Sequence, residues 1–384
     1  MSRVIVALLL IAVAAIPGLG QGDLRMIVPP RMFAVPGVEM SVYFDNVLLH
    51  PNTAGLILDV DCPFGAQQEE RWTGNPQAGA VGEQTLTLRI LTPEMQVIEE
   101  AASIVEVVDP AAGAGEHVTM LCVGDSLTAA SAITGRLAAL FAGDEAVDGT
   151  LIGESGPGGD TGNRHEGYGG WTCERFATLF DTEDYREVGG RTRRARSPFV
   201  FQAEGEEPAL DFQRYLDANN AGEAPEFITI LLGCNDTFSA DEETIEERID
   251  ASFAHLDALI AAFRKAAPEA EIGILTLVPP AASQDAFSAS YRCGQTRWQY
   301  RRNQHRVVER QYESYGDRED EGIFVVPAHH NLDTVRGFPR GNSPANAHAD
   351  TEISRMNEGV HPATAGYYQI GDSVYCWVKS RLAD

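Results

Sequence analysis

The sequence predicts an α/β protein, a three-layer, doubly wound sheet of five parallel strands, with a β-sandwich domain in front of it. Three observations carry this. From residue 117 onward short apolar runs alternate with amphipathic segments, the pattern of repeated βα units. One of those runs, "FITILLG" at residues 227–233, is apolar throughout, as a strand covered on both faces must be. Residues 24–109 instead hold only short runs rich in β-branched and aromatic residues, separated by Pro, Gly and Asn.

The first 20 residues read as an export signal. Arg3 supplies the positive end, "VIVALLLIAVAAI" is an apolar run of 13 residues, and "PGLGQG" offers small residues for cleavage after Gly20. The run is shorter than the roughly 20 residues that a membrane-spanning helix needs, so no stable membrane anchor is expected. The mature chain is expected to be secreted or periplasmic.

In residues 24–109 the expected strands are "RMFAVPG", "EMSVYFDNVLL", "AGLILDVDC", "QTLTLRIL" and "ASIVEVVD", which suit a small sandwich of immunoglobulin-like type. "PAAGAGE", residues 110–116, reads as a linker. The second unit covers residues 117–384. Its expected strands are "HVTMLCVG", "GTLIG", "FITILLG", "EIGILTLVPP" and "GIFVVPA". A helix is expected over "LTAASAITGRLAALFAG", closed by Gly143. Between Asp241 and Lys265, apolar residues recur every three or four positions from Ile245 to Phe263, which marks a second helix. "RWQYRRNQHRVVERQYES" and residues 363–382 are two more. In such a sheet, ligands bind at the carboxyl ends of the strands.

The formal net charge of −27 argues against a nucleic-acid partner, because phosphate binding needs a basic surface. Lys265 and Lys379 are the only lysines. Six cysteines, Cys62, Cys122, Cys173, Cys234, Cys293 and Cys376, include no Cys-x-x-Cys, so a zinc cage is not expected. Cys122 reads as a core thiol; a bridge among Cys173, Cys234 and Cys293 stays open.

Chemistry should gather after the strand ends. Ser126, in "VGDSLTAAS", follows the first strand and opens a helix, so it reads equally as a helix cap or as a nucleophile. A nucleophile needs a base, and "MNEGVHPATAGYY" places His361 before the last helix, with Pro362 at its first position and Glu358 three residues upstream. A carboxylate there can hold one ring nitrogen while the other faces the serine. "LLGCNDTF" puts Asn235 beyond the third strand, where its amide can meet an oxyanion or cap a helix. "HEGYGGWTCERF" offers glycines at 167, 169 and 170, where backbone N–H groups are unobstructed.

Together, "GDSL" with Ser126, "GYGGWT" with Gly170, "GCND" with Asn235 and "EGVH" with His361 resemble, in this order, the four blocks of the SGNH or GDSL hydrolases. The resemblance covers residues 117–384 and implies a flavodoxin-like sheet and an esterase. It further implies Ser126 as nucleophile, His361 as base, and an oxyanion hole from the N–H groups of Ser126 and Gly170 with the Asn235 amide. Gly169 is the alternative glycine. Where the family usually has aspartate three residues before the histidine, this chain has Glu358. Either Glu358 is the third member or a backbone carbonyl orients the ring.

No cofactor and no metal are expected; His329 and His330 are adjacent, and neighbouring histidines rarely share one ion. The expected substrate is an acylated carbohydrate, with acetyl esters first. Trp171, Tyr168 and Trp298, together with Tyr291 and Tyr300, are candidates for stacking on sugars. "RTRRARS", with Arg191, Arg193 and Arg194, is a basic island suited to uronate or sulfate groups, or simply a solvated loop. Two alternatives stand beside this reading: a lipase or lysophospholipase, and a non-catalytic glycan-binding protein on the same fold.

Overall fold

Five parallel strands, His117–Gly124, Asp148–Ile152, Phe227–Leu231, Glu271–Leu275 and Ile323–Val326, lie side by side in the order second, first, third, fourth, fifth. This is seen in a computed structural model that describes residues 24–383 except 52, 159 and 160. The expected export signal at residues 1–20 lies outside the described residues.

Side-chain alternation along the strands separates two cores. Leu121, Val123, Ile228, Ile230, Ile272 and Ile274 face one layer, which holds the helices Phe212–Asn219, Ile245–Ala266 and Arg297–Tyr315. Met120, Cys122, Phe227, Leu231 and Leu275 face the other, formed by Ala132–Gly143 and Thr364–Arg381. The strand order reverses between the first and third strands. Their carboxyl ends therefore diverge into a crevice, the place where open α/β sheets bind ligands. Ser126 and Asn235 follow those two strands.

One helix differs from the expectation. The segment after Ser126 is two helices, Ser126–Ala129 and Ala132–Gly143, broken at Ser131, whose φ is +59°. Ser131 Oγ meets His165 Nε2 at 2.8 Å, and its carbonyl accepts from Asn163 Nδ2 at 2.8 Å. These partners lie more than thirty residues away and hold a left-handed conformation that local helical periodicity does not reveal.

Residues 24–107 form two larger sheets around one core, besides the short antiparallel pair Arg25–Met26 and Leu48–Leu49. Arg31–Ala34, Val97–Val107, Gly82–Leu91 and Ile57–Asp61 make the first, and Met40–Tyr43, Arg71–Gly74 and Ala66–Gln67 the second. Met32, Val42, Trp72, Leu88 and Val105 are buried between them. The run "EMSVYFDNVLL" is interrupted by a helical turn, Phe44–Val47, and the strands at 66–67 and 71–74 carry no long apolar run that would mark them.

Polar groups lock this unit to the α/β unit. The Asn46 amide donates to the carbonyls of His329 at 2.9 Å and Leu332 at 2.7 Å, and Ser41 N–H donates to Asn331 Oδ1 at 2.8 Å. Between the units, the 110–116 segment is pinned by one of the two lysines. Lys379 Nζ, fully buried, donates to Pro110 O at 2.9 Å, Ala112 O at 2.7 Å and Asp144 Oδ2 at 2.9 Å, which uses all three of its protons.

All six cysteines are free, so the bridge left open by the sequence is absent. Cys173 accepts from Ser252 Oγ at 3.3 Å, Cys234 pairs with Tyr300 Oη at 3.0 Å, and Cys293 is exposed. Cys122 is buried, and burial pushes its thiol up to about 11, as a core thiol requires.

Candidate active site

The first strand ends at Gly124, which must be glycine: a Cβ there would fall 2.1 Å from Thr128 Oγ1. The chain then turns straight into the Ser126–Ala129 helix. Asp125 is its cap, with Oδ1 accepting from Leu127 N–H at 2.9 Å. The capping role considered for Ser126 thus belongs to its neighbour. Ser126 is the first helical residue, and its Oγ lies 2.8 Å from His361 Nε2.

The other nitrogen of that ring, Nδ1, lies 3.2 Å from Glu358 Oε1. Glu358 Oε1 also accepts from Val360 N–H at 3.2 Å, and Oε2 accepts from Ser290 Oγ at 3.2 Å. The loop folds back so that the longer glutamate reaches the ring. The last helix begins at Thr364, two residues beyond the expected Pro362. Hydrogen bonding to Glu358 raises the His361 pKa above the ordinary 6.5, against the opposing effect of burial. Burial would raise Glu358, but the bonds from His361 and Val360 N–H outweigh it and hold the carboxyl at about 2. Glu358 is therefore an anion at neutral pH. It favours a proton on Nδ1, which leaves Nε2 as the acceptor facing the serine hydroxyl.

The opposite wall comes from residues 166–171. Glu166 and Gly167 extend the sheet beside Val123 and Gly124, and Tyr168 N–H donates to Gly124 O at 3.0 Å. Gly167 allows this approach, since a Cβ would lie 2.5 Å from Ala129 N. Gly170 has φ +78° and is exposed, with open space around it, and Gly169 is likewise open. Asn235 sits in the turn Cys234–Thr237, entered through Gly233 at φ +114°. Its Nδ2 donates to Asp125 Oδ2 at 3.1 Å and to Trp171 O at 3.0 Å. The amide is thus tied to the residue beside Ser126, with both of its hydrogens engaged in the resting site.

A model of the GDSL-like Lipase/Acylhydrolase family matches residues 122–369, the segment that contains every one of these groups. The chain belongs to that family. None of the curated proteins matches it. Among solved structures it is similar to a Clostridium thermocellum family 3 carbohydrate esterase, at 15% identity, 70% of this chain, 100% of the other and a TM-score of 0.40. It is also similar to a carbohydrate esterase family 3 from Talaromyces cellulolyticus, at 13% identity, 69% and 98% coverage and a TM-score of 0.38. A third is Est24, a carbohydrate acetylesterase from Sinorhizobium meliloti, at 16% identity, 69% and 99% coverage and a TM-score of 0.37.

Several of the residues considered for substrate contact are placed elsewhere in this family member. Tyr168 and Trp171 are core side chains, 7% and 3% exposed, with ring centroids 4.7 Å apart and Phe176 packed 4.8 Å from the Trp171 ring. Their ring faces are covered, and it is the Trp171 carbonyl that reaches the site. Tyr300 is buried against Cys234, while Tyr291 packs on Phe238. Trp298 is half-buried under the Arg301 guanidinium, which binds the carbonyls of Asp45 and Leu48 at the seam between the units. Arg194 is buried and bound to Glu154, Tyr185 Oη and the Arg196 carbonyl, so it is an anchor; Arg191 and Arg193 are exposed. His329 and His330 are fully buried, and among the described residues no group of three or more His, Cys, Asp or Glu side chains could hold a metal.

Two residues near the serine escaped the sequence reading. Asp125 is 1% exposed, and burial pushes its carboxyl up to about 7. Its signal was present, because aspartate is among the strongest helix caps. Glu166 is fully buried, accepting from Tyr168 Oη, Tyr215 Oη and Glu154 N–H, and burial raises it to about 7. Nothing in the local pattern distinguishes it from a surface glutamate.

Proposed function

We propose that the chain is an exported serine esterase acting through an acyl-enzyme, with O-acetylated carbohydrate as substrate. The observation that carries the mechanism is the chain of contacts from Ser126 Oγ to His361 Nε2 at 2.8 Å and from His361 Nδ1 to Glu358 at 3.2 Å. As Ser126 Oγ bonds to the acyl carbon, its proton passes to His361 Nε2. Glu358 stabilises the imidazolium that results. The carbon–oxygen bond to the alcohol then breaks, and His361 returns the proton to the leaving oxygen. Water attacks the acyl-serine with the same histidine as base, releasing the acid and restoring Ser126.

The developing oxyanion faces the N–H groups of Ser126 and Gly170, which have no acceptor among the described residues. Asn235 becomes the third donor when its amide exchanges one resting partner for the oxyanion. Each such donor is worth about 3–4 kcal/mol of barrier. Open space at Gly169 and Gly170 leaves this backbone accessible to a substrate carbonyl.

The test compares p-nitrophenyl acetate with a long-chain ester and with acetylated polysaccharides, using Ser126→Ala as control. Acetate release that depends on Ser126 supports the reading. Hydrolysis unaffected by Ser126→Ala rejects the mechanism, and preference for the long chain rejects the substrate.

A further inference from the structure

Residues 181–196 form an excursion from the sheet whose centre is the hairpin Tyr185–Val188 and Arg191–Arg194. Gly189 and Gly190, at φ +60° and +74°, make the two-residue turn that such a hairpin favours. Alternation along the strands divides its arginines. Tyr185 pairs across the ladder with Arg194; Arg194 turns inward, its guanidinium 5.1 Å from the ring centroid of Tyr185, which stays exposed. Arg186 pairs with Arg193, and Val188 with Arg191, on the opposite face.

That outer face and Arg175 line a cleft of ≈ 770 Å³ in which five of ten lining residues are arginines and Asp181 is the single acid. Asp181 is already bound to Arg186 at 2.6 Å. Among the described residues the side chains of Arg175, Arg191 and Arg193 have no hydrogen bond or ion pair. The three share one cleft in a chain with 56 acidic residues against 29 basic ones, so the cleft is a positive patch on an acidic protein. On the helix Arg297–Tyr315, by contrast, arginines are paired: Arg306 binds Glu246, Glu309 and Glu313, and Arg310 binds Glu246 and Asp250. Unpaired like charges sharing one cleft repel each other and add nothing to folding.

The cleft is tied to the reaction site at two points. Arg175 lies in the helix Cys173–Thr178, whose first N–H donates to Asp236 Oδ1 at 3.1 Å, next to Asn235. Arg194 lies 5.7 Å from the centroid of Tyr168, whose N–H is bonded to Gly124 O. We propose that this cleft is a subsite for an anionic sugar residue, a uronate carboxylate or a sulfate ester, on the same glycan whose ester reaches Ser126. Guanidinium groups suit both anions, because their planar donors bind two oxygens at once. The proposal rests on the esterase reading for its link to turnover, and it deepens the sequence reading by exchanging Arg194 for Arg175.

Native gels cast with polygalacturonate, dextran sulfate or neutral dextran test binding without turnover. The full chain is expected to be retarded by at least one anionic polymer and not by dextran. The triple variant Arg175→Ala, Arg191→Ala, Arg193→Ala should bind about tenfold more weakly, the size expected of a few exposed ion pairs acting together. A control, Arg248→Ala, Arg302→Ala, Arg340→Ala, has the same net charge and should keep the retardation. Retardation by polygalacturonate alone identifies carboxylate, and by dextran sulfate alone identifies sulfate. Equal loss in both triple variants, or no retardation by either anionic polymer, overturns the subsite. In turnover, the ratio of kcat/KM on acetylated polygalacturonate to that on p-nitrophenyl acetate should fall with the first triple variant only. If hydrolysis does not depend on Ser126, the esterase reading fails while the gel result still decides the subsite.

Discussion

Two histidine sites in this molecule show opposite chemistry. His361 is half-buried beside Glu358, and that hydrogen bond raises its pKa. His329 and His330 follow the last sheet strand at the seam with the N-terminal unit, and both are fully buried. Burial drives His329 down to about 4, although the Ile27 carbonyl works against it, and drives His330 well below 6.5, with neither ring nitrogen bonded. Both sites lie in loops of the same sheet. A carboxylate on one nitrogen and an open face on the other make a base; apolar burial makes a packing residue.

Replacing the proposed proton acceptor is the strongest way to break the comparison. His361→Gln, like Ser126→Ala, should lower kcat/KM on p-nitrophenyl acetate on the order of 10⁴-fold or more with the fold intact. His330→Leu should leave the rate in place, since no bonded ring nitrogen is lost. Circular dichroism on the same samples checks the fold, and an equal loss of activity in both variants would merge the two sites.

Glu358→Gln sharpens the cause of the difference. With Glu358 present, His361 must lose its proton above pH 6.5 before it can act as base, so the acid limb of kcat/KM lies above that pH. Removing the negative charge should move the limb to lower pH and cost on the order of 10³-fold in rate. A pH–rate profile with an unmoved limb would assign the raised value to another group.

Asn235→Ala removes a donor without touching either histidine and should reduce kcat about 10²- to 10³-fold, with a smaller change in KM. The smallest effect is expected at the seam. Asn46→Ala deletes the bonds to His329 O and Leu332 O, at a cost of about 1–3 kcal/mol in denaturant unfolding. The turnover of folded molecules should not change; a matching loss of activity would couple the seam to the site.

Much of this was legible in the chain. The strands and long helices of the α/β unit lie where apolar periodicity placed them, because burial on two faces of a sheet leaves a period that few other environments impose. Ser126, Asn235 and His361 were readable because each sits in a short block at a strand or helix end. The aromatic residues misled for a related reason: Tyr168 and Trp171 lie beside the crevice in sequence, and only packing shows that their rings turn into the core. The break at Ser131 and the buried Glu166 depend on partners far along the chain, which no local window contains.

By itself the sequence determined the order of elements along the chain, the strand ends at which chemistry was expected to gather, and the residue types held there. Those properties follow from hydrophobic period and backbone preference, which are local. Only the tertiary structure decided that Asp125 rather than Ser126 caps the helix and that Glu358 is long enough to reach His361. It also turned Arg194 inward while leaving Arg175, Arg191 and Arg193 without a counter-charge. Each of these is set by distances of about 3 Å between segments remote in sequence, and hydrogen bonds and ion pairs are sensitive at that scale.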